Sequence, residues 1–105
     1  MTVKFSIETI DYLSDLIEIL YDNEYFGFKD LAKMYVEGLV LEINATLATK
    51  PKKKAPSYFS KYGKHLAYAT FKKNNNTQWY VFFNHEDDIY YIRYIGNNHT
   101  CAQYL

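Results

Sequence analysis

At 105 residues, 49% hydrophobic and 19% aromatic, the chain has enough apolar material to bury one domain's core without metal or disulfide staples. Its single cysteine, Cys101, excludes an intramolecular disulfide. No apolar run approaches the roughly 20 residues that span a bilayer, and no basic segment leads into an apolar one at the N-terminus as in a signal peptide, so a cytoplasmic protein with no membrane partner is expected. The net charge is zero, but residues 1–49 carry six more acids than bases and residues 50–105 the reverse. That asymmetry points to a polyanion partner for the basic half, unless the halves neutralise one another across the fold.

In chain order, VKFSIETI alternates Val3, Phe5 and Ile7 with Lys4, Ser6 and Glu8, the period of a half-buried strand. From Asp11, a candidate N-cap, DYLSDLIEILYD sets Leu13, Leu16, Ile17 and Leu20 on one helical face, with Asp15, Glu18 and Asp22 opposite. NEYFGF interrupts. A second helical face then runs through Phe28, Leu31, Tyr35, Val36, Leu39, Val40, Ile43 and Leu47, and must stop near Lys50 because Pro51 cannot continue it.

KPKKKAPSYFSKYGKH reads as the one linker. After it HLAYATFKK, QWYVFFNHE and IYYIRYIG are rich in aromatic and β-branched residues and separated by NNNT and EDD, which predicts three antiparallel strands in a meander. The expected fold class is α+β: an N-terminal strand, two helices, then a three-stranded antiparallel meander, with the helices on one face of the sheet and the other face partly open.

The chemistry collects at the end of the chain. Arg93 is the single arginine among twelve cations, and its planar fork can grip a phosphate in a way that a lysine cannot; pairing with Glu86 or another acid on the open sheet face is the alternative. His99 can act as acid or base near neutral pH, or be a turn histidine. Lys61, Lys64, His65, Lys72 and Lys73 bracket the first meander strand and are candidates for holding RNA phosphates, while Lys52, Lys53 and Lys54 read as a solvated linker. His85 followed by EDD is not a metal site, since consecutive acids in a turn do not converge and no second histidine or cysteine completes a set.

The order of elements, the strand TQWYVFFN, and the closing sequence of a strand followed by Gly96, His99 and Tyr104 resemble the RelE/ParE superfamily of toxins from bacterial type II toxin–antitoxin modules. The resemblance implies a single domain of RelE/ParE-like fold spanning 1–105. It implies a metal-independent endoribonuclease that cuts messenger RNA on the ribosome, with no cofactor and with a cognate antitoxin, the ribosome and mRNA as partners. Attack of a 2′-hydroxyl on its phosphate needs a base, an acid and cations, and the resemblance assigns these catalytic roles to His99, Arg93 and Tyr104. RNA binding falls to Lys61, Lys64, His65, Lys72, Lys73 and Asn98. Members of the cleaving branch carry several arginines, whereas this chain has Asn97 and Asn98, which can hydrogen-bond a base edge or phosphate but carry no charge.

Two alternatives remain beside the nuclease. One is a ParE-like inhibitor of DNA gyrase that shares the fold and needs no catalytic histidine. The other is a non-toxic module that binds protein or single-stranded nucleic acid through exposed tyrosines.

Overall fold

The computed structural model describes residues 1–23 and 26–105; the interruption expected over 23–28 lies partly outside them, at Glu24 and Tyr25. The fold is α+β. Strand β1 (Thr2–Phe5) leads into helices α1 (Ile7–Asp22) and α2 (Lys29–Thr46). A two-residue strand β2 (Lys53–Lys54), a 3-10 helix (Ser57–Tyr62), strands β3 (Ala67–Lys72), β4 (Gln78–Glu86) and β5 (Ile89–Asn97), and a short helix α3 (Asn98–Cys101) follow. The sheet has five strands, not the four expected, in the order β1-β5-β4-β3-β2. The last three long strands pair antiparallel in succession, and β5 returns beside β1 in parallel, which makes the sheet mixed.

Several element boundaries differ from the sequence reading. The first helix begins at Ser6, not Asp11: the Ser6 Oγ accepts the Thr9 N–H at 3.1 Å and meets Thr9 Oγ1 at 2.6 Å, satisfying a donor that the first turn would otherwise leave open. The strand alternation therefore ends at Phe5, and Ile7, its expected third inward residue, is 75% exposed. Helix α2 buries Ala32, Val36, Leu39 and Ile43, with Leu47 just beyond its end, while Phe28 and Leu31 face outward. The linker is also structured. Lys53 and Lys54 pair with Tyr68 and Ala67 at the sheet edge, where lysines discourage addition of a further strand.

The helix-side core joins Leu13, Leu16, Val36, Leu39 and Ile43 to Phe71, Trp79, Val81, Phe83, Ile92 and Ile95. Ile92 and Ile95 are three residues apart, so a regular strand would send them to opposite faces. A β-bulge resolves this: Phe83 pairs with Ile92 and Phe82 with Tyr94, leaving Arg93 as the extra residue.

The other face, expected to be partly open, is roofed at its centre. A second cluster there holds Phe59, Leu66, Phe82 and Cys101, with Tyr62, Tyr68, Tyr80 and Tyr94 packed around it. The 3-10 helix and the C-terminal tail form this roof. Gly96 lets the tail close down, since a side chain there would collide with Cys101 Sγ.

Candidate functional site

A 3-10 helix turns three residues at a time, so positions i and i+3 eclipse and three rows of side chains result. Phe59 and Tyr62 form the row that faces the sheet, with Phe59 stacked on Phe82 at 4.3 Å and Tyr62 on Tyr94 at 3.9 Å between ring centroids. Tyr58 and Lys61 form the second. The Lys61 Nζ donates to the Tyr58 hydroxyl at 2.9 Å and sits 4.0 Å from the Tyr58 ring centroid. Tyr104, from the tail, stacks on Tyr58 with ring centroids 3.6 Å apart and the ring planes nearly parallel. Ser57, Ser60 and Gly63 make the third row.

The electrostatics follow from these contacts. The hydrogen bond from Lys61, then that with Tyr104, lowers the Tyr58 pKa, and the bond to Tyr58 raises that of Lys61. Tyr104 is raised, chiefly by its hydrogen bond with Tyr58. Beneath the roof, burial first and the neighbouring Cys101 second push the Tyr94 hydroxyl up.

The bulge puts Arg93 out on the roofed face, where its side chain is exposed. Its Nε donates to Asn84 Oδ1 at 3.1 Å, and Asn84 Nδ2 in turn donates to the Lys64 carbonyl at 2.9 Å. The expected alternative, pairing with Glu86, does not occur: Asn84 holds the guanidinium, which forms no ion pair among the described residues. Arg93, Lys61, Tyr62, Ser6 and Glu8 line a recess of about 210 Å³.

The candidate residues from the sequence thus fall into separate places. Arg93, Lys61 and Tyr104 belong to one connected surface, Lys61 touching both the recess and the tyrosine stack. Lys64 and His65 line a different cleft, on the third row of the 3-10 helix. Lys72 and Asn98 line a polar recess with Asn74, Asn76, Gln78 and Tyr80. There the Asn98 side chain is already engaged, accepting the Gln78 N–H at 3.0 Å and donating to the Asn76 carbonyl at 3.1 Å. Lys73 turns to the helix side and pairs with Glu42 at 3.0 Å; this and the pair of the Met1 N-terminal ammonium with Asp88 at 3.1 Å are the two ion pairs among the described residues that join residues 1–49 to residues 50–105.

His99 stands exposed in α3. Its backbone N–H is held by Asn97 Oδ1 at 2.9 Å, while its imidazole makes no hydrogen bond among the described residues. Asn97 is a helix cap: its side chain also accepts the Thr100 N–H, and Thr100 Oγ1 accepts the Asn97 N–H. A basic residue there would forfeit that reciprocal cap.

Sequence reasoning did not single out Glu8, Tyr58, Tyr62 or Asn84. The spacing of Tyr58 and Lys61, three apart after Pro56, was a signal for the 3-10 turn; the approach of Glu8 to Arg93 had none, because α1, which carries Glu8, and β5 are far apart in the chain. No group of three or more His, Cys, Asp or Glu among the described residues is placed to hold a metal ion. No helix among them is long and apolar enough to cross a membrane. Compared with protein-family models, curated proteins and solved structures, the chain matches none.

Proposed function

We propose that the chain is the toxin of a RelE/ParE-like toxin–antitoxin module and acts on messenger RNA through the surface built by Arg93, Lys61, Tyr58 and Tyr104. The carrying observation is the convergence of Arg93, Lys61 and Tyr104 from a strand bulge, a 3-10 helix and the tail. Aromatic faces beside cations suit single-stranded nucleic acid, since every base stacks and every nucleotide brings a phosphate. A guanidinium oriented by Asn84 through Nε keeps its other edge for phosphoryl oxygens. The order of a strand, two helices and an antiparallel meander supports the same reading.

In the cleavage this reading entails, the 2′-oxygen attacks the adjacent phosphorus, its proton passes to a base, and the departing 5′-oxygen receives a proton. The products are a 2′,3′-cyclic phosphate and a 5′-hydroxyl. Glu8, in the recess with Arg93 and Lys61, and His99, on the tail, are the two groups able to serve as base and acid. The cognate antitoxin would cover this cationic surface.

Primer extension on a reporter messenger in a translating extract tests the reading. Wild type is expected to give cuts only while ribosomes translate, and Arg93→Lys to reduce them by about tenfold to a hundredfold, the worth of a charge-assisted fork. His99→Ala and Glu8→Gln separate the two proton carriers. An intact messenger with wild type overturns the nuclease.

One observation favours a reading without catalysis: the His99 imidazole makes no hydrogen bond to the Arg93 and Lys61 surface among the described residues. A gyrase inhibitor or a non-toxic binding module would then use the same face. Growth arrest with DNA damage that survives His99→Ala identifies the inhibitor, and tolerated expression identifies the module.

A further inference from the structure

The third row of the 3-10 helix borders a cleft of about 590 Å³, within the range of small-molecule sites. Ser57, Ser60, Lys54, Lys64 and His65 line it, with Leu66 and Pro56 among the apolar residues of the lining. No carboxylate among the described residues lines it. Neither serine hydroxyl has a hydrogen-bond partner among the described residues, and none of Lys54, Lys64 and His65 forms an ion pair there. His65 adopts φ 56°, a left-handed conformation that costs most side chains roughly 1–2 kcal/mol and that the turn maintains where Lys64 and His65 reach the cleft.

We propose that this cleft is a phosphate site for a nucleotide. Two hydroxyls and three cationic or imidazole groups supply donors for phosphate oxygens, the apolar lining accommodates the nucleoside, and the absence of acids from the lining leaves the anion unopposed. The cleft lies on a different row of the 3-10 helix from Tyr58 and Lys61, so the assignment does not depend on what the Arg93 surface does. The phosphate can come from a free nucleotide or from an RNA strand.

The test is a titration of the ¹⁵N-labelled full chain, followed by amide shifts, with adenosine 5′-monophosphate, adenosine and a five-nucleotide single-stranded RNA. The monophosphate is expected to shift the Ser57, Ser60, Lys64 and His65 amides, and adenosine at the same concentration to leave them in place. Lys64→Ala and His65→Asn are each expected to weaken the monophosphate about tenfold, the scale of a charged hydrogen bond. Asparagine tolerates the left-handed backbone, so His65→Asn removes the imidazole and keeps the turn. Lys53→Ala, outside the cleft, should bind as wild type. RNA that binds more tightly than the monophosphate and weakens in the same variants identifies a strand phosphate, and binding of the monophosphate alone identifies a free nucleotide. Equal shifts with adenosine, shifts confined to Lys61 and Arg93, or unchanged affinity in both variants would overturn the proposal. Loss of messenger cleavage with monophosphate binding intact would count against the nuclease alone.

Discussion

The two faces of the sheet are built from different materials. On the helix side, fourteen buried residues among those described form one cluster, mostly aliphatic and supplied by both helices, the turn after α2 and three strands. Its indole N–H is satisfied internally, since Trp79 Nε1 donates to the Tyr35 hydroxyl at 2.9 Å. Four buried residues among those described form the opposite cluster, where half-buried tyrosines do the remaining packing under one 3-10 helix and a short tail. The thick layer carries the acids of α1 and α2 on its outside, whereas the thin one presents Lys61, Lys64 and Arg93. Stability and surface chemistry are thus divided: the deep face anchors the sheet, and the shallow face can hold cations close to aromatic rings because so little lies above it.

Phe82 and Phe83 offer the sharpest way to break that comparison, being adjacent, both fully buried, and pointed at opposite faces. Phe83→Ala should cost about 3–5 kcal/mol, and Phe82→Ala distinctly less, because a thin roof collapses into a cavity more readily than a helix pair does. Urea unfolding of both variants measures the difference, and equal losses would mean that the two faces are equally rigid.

A smaller effect is expected at the tail. Gly96→Ala forces a Cβ against Cys101 Sγ and should cost about 1–3 kcal/mol by overpacking. The same change in a Cys101→Ala background should cost less, and a double-mutant cycle on thermal or urea unfolding reads the coupling.

The alkaline limb probes burial on the helix side. Burial, then the Cys101 charge, raises Tyr12 from 10.0 to about 12. The native state therefore keeps a proton that the unfolded chain has lost, so stability falls as pH rises from the unfolded value to the folded one. Tyr12→Phe should flatten that fall in urea midpoints measured across the window.

The smallest stability change belongs to the exposed stack. Tyr104→Ala should shift stability by no more than about 0.5 kcal/mol. Lys61→Met, which removes the donor that lowers Tyr58, should raise the Tyr58 ionisation midpoint in a tyrosine ¹³Cζ titration. A large loss of stability from either change would show the roof to be as much a part of the core as the helices are.

Local patterns made much of the fold legible. The residues of QWYVFFNHE are the same residues that form β4, and Pro51 marks the limit of the second helical segment. The turn at Asp87 and Asp88 has positive φ at both residues, as a two-residue hairpin with the right twist requires. Where the pattern misled, a local competitor had won: Ser6 capped a helix that the alternation of Val3, Phe5 and Ile7 concealed, and the 3-10 helix follows a three-residue period that resembles neither strand nor α-helix.

The candidate site was legible only as a set of residue types. Sequence alone determined that cations, tyrosines and a lone arginine crowd the second half, because composition and order are local facts. Only tertiary structure decided which of them meet. A bulge against β4 placed Arg93 outward and Lys73 found Glu42 across the fold, approaches that no local spacing encodes, whereas the cap that commits Asn97 uses Thr100, three residues on.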